Sequence, residues 1–352
     1  MKLYYYHTRP IISALEEWKD SKHPGHILYG LTHFEKLGIQ TILYPYKKLK
    51  YRWQLMIYVL YTVLQEKEPY DVLYGTSYRG LELLIFFRAL GLYKKPIAIW
   101  HHQSVPISKG FIKPILSKIF YRGIDCMFFF SEKLIEDSLK SGKVSKEKLH
   151  LIHWGADIDF YDKIRMKIKV TNKSFITTGK ECRDFKTLLE AFAGRKEIIN
   201  IYAPLMNNDK AYKELFDSYK SFSNIRIHFV DGIIPYDLAL KVAASDVVVI
   251  PCLDLSYTVG LTTLVEALAL GKPIISTNNP KYEMNIEKEK VGILVGYKNV
   301  QEWKDAIDYI SENPSEVKEM GFRSRKLAEK VYNLDNYAKE LSIVLYSLAE
   351  KR

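Results

Sequence analysis

Cysteines are few in this sequence, and their spacing fits neither a disulfide framework nor a metal site. The 352 residues include three, Cys126, Cys182 and Cys252, which are widely separated and form no CxxC pair. An odd number of scattered cysteines argues against a disulfide framework, and no histidines cluster beside them at metal-ligand spacing. We therefore expect reduced thiols and a cytoplasmic protein.

Long apolar runs are also lacking. The N-terminal run is interrupted by His7 and Arg9, so it has no continuous apolar region of the kind found in a signal peptide. The longest lipid-like run, Leu55 to Leu64, is half as long as the roughly 20 residues that span a bilayer. We expect no export and no membrane crossing.

The positive charge is concentrated in the N-terminal half of the chain. Residues 1–155 hold 23 Lys+Arg against 13 Asp+Glu, whereas residues 156–352 hold 29 against 28. Such a field attracts anionic partners, which include a phospholipid surface, a lipid-phosphate acceptor, an anionic glycan or nucleic acid. A merely solubilising surface explains the same charge, and the alternatives stay open at this point.

Two series of short apolar runs alternate with stretches of helical period, which predicts an α/β fold with parallel sheets. The first series has strands near KLYYYH, TILYPY, DVLYG, PIAIWHH, CMFFFS and LHLIHW, and the second near SFITTG, IINIYA, IRIHFV, VVVIPC, PIISTN and GILVG. We predict two doubly wound Rossmann-like domains, 1–155 and 173–334, joined by a linker over 156–172. An amphipathic C-terminal helix over 335–352 is expected to join the first domain.

Four segments in order carry a resemblance to a known family: FFFSEKL, LHLIHWGADIDFY, TTGKECRDFKTLLEAF, and DVVVIPC followed by GLTTLVEALALGKPIIST. They resemble the retaining glycosyltransferases of family four, within the glycosyl transferases group 1. The resemblance implies the GT-B fold, in which two Rossmann-like domains face each other across an interdomain cleft. It also implies a nucleoside-diphosphate sugar as donor, UDP-linked by preference, with no other cofactor.

In TTGKECRDFKTLLEAF the pattern predicts a strand that ends at Gly179 and a helix that begins near Asp184. Lys180 and Arg183 lie between them, and the resemblance assigns this pair, with Gly179, to the donor diphosphate. A helix N-terminus and fixed cations suit that charge. Without the resemblance, two loop cations would be interpreted as solvated surface.

In GLTTLVEALALGKP the resemblance assigns Glu266 to the two ribose hydroxyls of the donor, because a carboxylate offers two acceptor oxygens. Gly260, Leu261 and Thr262 are expected to present backbone N–H groups to the phosphates. An exposed helical glutamate before an ordinary C-cap is the alternative interpretation.

One position departs from the family pattern. The family's first signature glutamate lies eight residues before Glu266, where this sequence has Thr258. The loop before it is longer than usual, so Asp254 is an alternative at that place. The resemblance therefore assigns Thr258 to the donor site without indicating which sugar is bound.

In the N-terminal half, His102 follows the strand in PIAIWHH, and the resemblance assigns it to the donor sugar, with a hydrogen bond donated to a hydroxyl. A histidine at a strand end also has ordinary structural uses. The turn at Gly25 resembles the family's early donor-facing loop. Asp157 and Asp159 form a DxD sequence, but we interpret Asp157 as a turn-stabilising residue and predict no metal site.

The prediction is a metal-independent hexosyltransferase that acts on a glycan or lipid-linked acceptor in cell-surface polysaccharide or glycolipid synthesis. The basic, aromatic segment Lys47–Leu64 is interpreted either as a core helix or as peripheral contact with the anionic inner face of the membrane. A nucleotide-sugar 2-epimerase is the alternative enzyme. Nucleic-acid binding is not expected, because no recognised motif accompanies the charge.

Overall fold

A computed structural model describes residues 1–110, 112–168, 173–179, 182–204, 210–230 and 232–350. The chain divides into two compact units. The first contains Met1–Asp20, Gly25–His153 and Leu334–Arg352, and the second contains Ser21–Pro24 and Trp154–Asn333. No helix in the described ranges combines the length and the apolar character that a membrane span requires.

The first unit contains a parallel sheet of six strands. The strands are β1 (Lys2–Tyr6), β2 (Gln40–Leu43), β3 (Val72–Gly75), β4 (Ile97–Trp100), β5 (Cys126–Phe129) and β6 (Leu149–Leu151). The helices are α1 (Ile11–Lys19), α2 (Leu31–Phe34), α3 (Arg52–Leu64), α4 (Glu82–Ala89), α5 (Ile112–Arg122) and α6 (Glu132–Leu139). The strand order is β2-β1-β3-β4-β5-β6. The inner strands β3, β4 and β5 are buried at every residue, as expected of parallel strands that are covered on both faces.

The second unit contains another parallel sheet of six strands. These are β7 (Ser174–Thr178), β8 (Ile198–Ala203), β9 (Ile225–Phe229), β10 (Val247–Ile250), β11 (Ile274–Thr277) and β12 (Gly292–Val295). Its helices are α7 (Ile158–Arg165), α8 (Phe185–Phe192), α9 (Lys210–Ser218), α10 (Pro235–Ala244), α11 (Leu261–Ala269), α12 (Val300–Glu312) and α13 (Pro314–Lys330). The strand order is β12-β11-β10-β7-β8-β9.

The last helix, α14 (Leu334–Glu350), returns to the first unit. Its apolar face is buried there, and the ring of Tyr337 stacks on Trp100 of β4 at 5.8 Å between centroids. The amphipathic pattern of the C-terminal sequence is thereby explained, because the helix covers a surface of the first unit.

Helices α11 and α13 of the second unit approach each other closely. A Cβ atom added at Gly321 of α13 would lie 2.6 Å from the carbonyl oxygen of Gly271, which follows α11. Only a residue without a side chain permits this backbone contact. The contact fixes α13 against the helix that carries Glu266.

In each sheet the strand order reverses at one point, where successive strands are placed on opposite sides of the first strand. In the first unit β1 lies between β2 and β3, and in the second unit β7 lies between β8 and β10. Loops at the carboxyl ends of the strands beside such a point diverge, and ligands of open α/β sheets bind there. The loops after β1 and β3, and those after β7 and β10, are therefore the places to look for function.

All twelve predicted strands are present, and the prediction of two Rossmann-like α/β domains is confirmed. The segment 156–172 is not a simple linker, because α7 lies within it and belongs to the second unit. Residues 169–172 lie outside the described residues. The interdomain cleft and the domain boundaries remain predictions.

Candidate functional site

In the second unit, the loops after β7 and β10 pair with each other. Arg183 and Cys252 form an antiparallel bridge, and the backbone N–H of Asp184 donates to the Pro251 carbonyl at 2.9 Å. Asp184 then caps α8, since its carboxylate accepts from the Thr187 N–H at 3.2 Å. The end of the loop that carries Arg183 is thus held against the β10 loop and against the start of α8.

The Arg183 guanidinium is buried in this loop, with 5% of the residue exposed. It donates to the Thr178 carbonyl at 3.3 Å and to Thr263 Oγ1 on α11 at 3.2 Å. It also lies over Gly179, whose φ is +142°, and a Cβ atom there would be 2.5 Å from the guanidinium. Gly179 therefore makes room for the cation, and Arg183 connects β7 with the first turn of α11.

Lys180, the other predicted diphosphate ligand, lies outside the described residues, and its assignment stays a prediction. The assignment of Arg183 is untested as well. Arg183 does reach α11, the helix predicted to hold the nucleotide.

The first turn of α11 is built for an anion. Gly260 is its N-cap in the left-handed conformation, with φ of +89°, and a Cβ atom there would lie 2.4 Å from the Tyr282 hydroxyl. Leu261 and Thr262 follow as the first helical residues. The backbone N–H groups at a helix start have no partner within the helix, so they are available to a phosphate.

Glu266 lies on the same face of α11 as Thr263, one turn further along, because residues three apart on a helix are neighbours. Its carboxylate accepts no hydrogen bond within the described ranges, and burial raises its pKa to about 8. A half-buried carboxyl without a protein partner is suited to accepting hydrogen bonds from a ligand.

Thr258 lies in the loop between β10 and α11, before the first turn of α11. Its hydroxyl donates to the Lys281 carbonyl at 3.4 Å, while the Lys281 ammonium pairs with Asp254 at 3.6 Å. Thr258 and Asp254 are therefore both linked to Lys281, in the loop after β11. Their role with the donor sugar remains a prediction.

In the first unit, His102 follows β4 beside the point where the sheet reverses direction. Its Nε2 lies 2.9 Å from the carbonyl of Thr76, the residue after β3. Its ring packs against Tyr29 at 5.8 Å and Phe130 at 5.6 Å. Burial lowers the pKa of His102 below its ordinary value, so the ring is neutral near pH 7.

The tautomer of His102 follows from this contact. A carbonyl only accepts, so Nε2 carries the proton and donates to Thr76. The other nitrogen, Nδ1, has no hydrogen-bond partner in the part of the chain that the structure describes. The sequence predicted a ring that donates to a sugar hydroxyl, whereas the neutral ring offers Nδ1 as an acceptor.

His7 was not identified from the sequence. It follows β1, and its Nδ1 accepts from the Arg9 N–H at 3.0 Å. Its ring lies 5.9 Å from the ring of Tyr29, which also contacts His102. Burial lowers the pKa of His7 to about 4. The feature of the sequence that could have identified His7 is its position directly after the first predicted strand.

Gly25 begins a short 3₁₀ helix, Gly25–Leu28, that leads to Tyr29. The backbone of Ile27 in this helix hydrogen-bonds His7. The Gly25 turn and His102 are therefore connected through His7 and Tyr29 within the first unit. His101, by contrast, is 2% exposed and contacts Tyr121, so it is a core residue.

Asp157 has the structural use that its turn position indicated. It is the N-cap of α7, and its carboxylate accepts from the Phe160 N–H at 3.1 Å. Among the described residues, no group of three or more His, Cys, Asp or Glu side chains is arranged to hold a metal ion.

Comparison with known structures shows the same fold. Anabaena HepE, crystallised with UDP, is 15% identical over 98% of this chain and 99% of its own, with a TM-score of 0.69. A glycosyltransferase from Rickettsia africae is 15% identical over 100% and 99%, with a TM-score of 0.71. WaaG, a glycosyltransferase involved in lipopolysaccharide biosynthesis, is 14% identical over 98% and 99%, with a TM-score of 0.63.

At the level of sequence, no curated protein was found to match the chain. Residues 178–327, which contain Gly179, Arg183, Thr258 and Glu266, do match the family model described as Glycosyl transferases group 1. The matched region begins at the last residue of β7 and includes α11. The family match therefore covers the loops where the geometry places the candidate site.

Proposed function

We propose that this chain is a retaining group 1 glycosyltransferase that transfers a sugar from a nucleoside diphosphate, UDP by preference, to a hydroxyl of a glycan or lipid-linked acceptor. The family match of residues 178–327 supports the class. The structural similarity to HepE, which binds UDP and UDP-glucose in its crystals, supports the donor type. Cell-surface polysaccharide or glycolipid synthesis is the proposed setting.

One observation carries the donor site. The Arg183 guanidinium donates to Thr263 on α11, one turn before Glu266 on the same face. A cation, a helix N-terminus and a carboxyl that accepts no hydrogen bond from the described residues therefore meet at a single helix. Arg183, Lys180 and the N–H groups after Gly260 are proposed to hold the diphosphate, and Glu266 the ribose.

The reaction we propose requires no carboxylate nucleophile from the protein. Charge develops on the leaving diphosphate as the sugar–phosphate bond breaks, and fixed cations and amide dipoles stabilise it. The diphosphate oxygen takes the proton of the acceptor hydroxyl, as the family resemblance implies. The protein supplies position and charge stabilisation, with His102 accepting from a sugar hydroxyl through Nδ1. Loss of transfer in EDTA, with recovery in Mn²⁺, would contradict the proposed metal independence.

Calorimetric titration with UDP and with uridine separates the two halves of the donor site. Glu266→Gln should weaken both ligands by about tenfold or more, because the amide has one acceptor oxygen where the carboxyl offers two to the ribose diol. Arg183→Met should weaken UDP by a similar factor and leave uridine unchanged, while Arg183→Lys should recover part of the UDP affinity. Glu319 is an exposed residue on α13, and Glu319→Gln is the control because it makes the same carboxyl-to-amide change outside the site. Unchanged UDP binding in both site variants would refute the assignment.

A screen of thermal stability across UDP-, GDP- and ADP-sugars then identifies the donor, because a bound donor stabilises the folded chain by mass action. Incubation of the identified donor without acceptor tests the 2-epimerase alternative. No observation on the fold or the site favours that alternative. Formation of the free epimer would nevertheless select it over transfer.

Helix α3 supplies the basis for a membrane contact. Val59 and Val63 are buried in the first unit, whereas Trp53, Ile57, Tyr61 and Leu64 are each more than half exposed. Lys47, Lys48, Lys50 and Arg52 precede or begin this exposed stripe. We propose that the stripe rests on an anionic leaflet, where apolar insertion and lysine–phosphate attraction act together.

Sedimentation with vesicles of phosphatidylcholine and phosphatidylglycerol at low salt tests the contact. Wild-type protein should sediment with anionic vesicles, and the double variant Trp53→Ser/Ile57→Ser should remain largely in solution. Ile343→Ser removes another exposed apolar side chain, on α14, and should have no effect. Equal sedimentation of all three proteins, or of none, would contradict the proposal.

A further inference from the structure

The second unit has a large cavity at the amino ends of its strands, at the opposite edge of the sheet from the candidate donor site. It encloses about 1210 Å³, more than the roughly 300–1,000 Å³ of common small-molecule sites. Its floor is formed where strands begin: Ser174 and Phe175 start β7, Val247 starts β10, and Pro273 precedes β11. Residues of α12 and α13 form another wall.

This cavity is distinct from the donor loops. Ser174 at the start of β7 lines the cavity, whereas Thr178 at the end of β7 accepts a hydrogen bond from Arg183. Thr178 follows Ser174 by four positions along the strand, which places the two residues about 13 Å apart at 3.3 Å per residue. The donor site lies beyond the carboxyl ends of the strands, and the cavity lies at their amino ends.

The lining is strongly basic. Seven Lys and Arg side chains line the cavity against three carboxylates, and two of the carboxylates are already paired: Glu197 with Arg195, and Glu329 with Arg325. The third, Asp246, lies near Lys272 and attracts its charge. The cavity therefore has an excess of positive charge that the protein does not neutralise.

Two of the cations serve the fold. Lys272 donates to the carbonyls of Ala243 and Ser245 at the end of α10, at 2.6 Å each. Arg325 donates to the Ala269 carbonyl at the end of α11 at 2.7 Å. Cations at helix C-termini satisfy orphan carbonyls, so these two charges are accounted for.

Four other lysines have no such use. Lys173, Lys196, Lys318 and Lys326 are exposed cavity residues, and none forms an ion pair with any residue in the described ranges. They come from three different parts of the unit and face the same cavity. Converging lysines without partners concentrate anions.

Apolar side chains accompany these cations. Phe175, Val247, Ile310 and Val317 line the cavity, and Phe322 lines it with 65% of its surface exposed. An inorganic anion alone would leave this apolar surface uncovered. A ligand with both an apolar body and an anionic group would cover it and pair with the lysines.

We propose that this cavity, defined by Lys173, Lys196, Lys318, Lys326 and Phe322, binds a small amphipathic anion, meaning an aromatic or apolar body that carries a phosphate, sulfonate or carboxylate group. It is a second ligand site, separate from the donor site. The attraction is between the four lysines and the anionic group, and between Phe322 with its apolar neighbours and the body of the ligand.

The probe for this site is 8-anilinonaphthalene-1-sulfonate, an aromatic sulfonate whose fluorescence rises in apolar surroundings. Titration of the full chain should show a saturable site. Lys318→Glu/Lys326→Glu should weaken this binding by about tenfold, because two attractions become repulsions. Phe322→Ser should weaken it by a smaller factor.

The control is Lys288→Glu/Lys339→Glu, which makes the same change in net charge at exposed lysines outside the cavity. It should bind the probe as the wild type does. UDP affinity should be unchanged in all variants, which keeps this test independent of the proposed donor site. Equal loss of probe binding in both double variants, or displacement of the probe by UDP, would overturn the proposal.

Discussion

The two units have the same number of parallel strands but place different chemistry at the point where each sheet reverses direction. In the first unit the loops after β1, β3 and β4 bring together His7, Thr76 and His102, and burial lowers the pKa of both histidines. In the second unit the loops after β7 and β10 hold a buried arginine next to the helix that carries Glu266.

This difference shows how one scaffold can support two tasks. A neutral imidazole whose Nδ1 has no hydrogen-bond partner among the described residues suits the hydroxyl groups of a sugar. A guanidinium beside a helix N-terminus suits a diphosphate. The sheets fix where the loops diverge, and the loop residues determine the chemistry. Variants in one unit should therefore affect different steps from variants in the other.

The largest expected effect is on turnover and comes from the first unit. His102→Ala should lower the rate of sugar transfer by about a hundredfold, because an oriented hydrogen-bond acceptor is removed. UDP affinity should change by less than about twofold, since the proposed nucleotide contacts belong to the second unit. His102→Gln, which retains both donor and acceptor atoms, should keep part of the rate. Equal losses of UDP affinity and turnover would break the comparison between the units.

A smaller effect is expected on stability, from the second unit. Gly179→Ala should lower the free energy of unfolding by about 1–3 kcal/mol, because φ of +142° is unfavourable for alanine and the added methyl meets the guanidinium. UDP affinity should fall with it as Arg183 is displaced. Gly194→Ala, at φ of +73° with nothing within 4 Å of the added methyl, is the matched control. Chemical denaturation should show a smaller loss of stability for Gly194→Ala than for Gly179→Ala. UDP titration should show no loss of affinity for Gly194→Ala.

The last expected effect is on the pH dependence of stability. The folded unit keeps the proton of Glu266 up to about pH 8, whereas an unfolded chain releases it near 4.5. The contribution of Glu266 to the free energy of unfolding therefore falls as the pH rises from about 4.5 to about 8. Glu266→Gln lacks this contribution, so its Tm relative to wild type should rise by a few degrees over that range. A constant Tm difference would show that the carboxyl is ordinary.

Much of the fold could be predicted from the sequence because each buried parallel strand is a continuous apolar run. Runs such as CMFFF and VVVI stand between polar segments and became β5 and β10. The segment around α7 was misjudged, because its buried residues Phe160, Tyr161 and Ile164 are embedded among many charges. Local composition therefore failed where tertiary packing determined the element.

The candidate site was predicted only in part, and its residues came from the resemblance. The resemblance assigned Arg183 and Glu266, but the bond from Arg183 to Thr263 joins residues 80 positions apart. The tautomer of His102 depends on a carbonyl 26 residues away. The basic cavity collects lysines from separate segments, which no local pattern reveals. Long-range contacts of this kind require the fold.

The contact between Gly321 and the backbone at Gly271 bears on how this protein can vary. In a saturation mutagenesis survey, position 321 should tolerate almost no side chain, although it lies outside the proposed donor site. Any side chain at this position would push α13 away from the end of α11 and tilt the helix that carries Glu266. Loss of activity at such a position would report displaced backbone rather than lost chemistry.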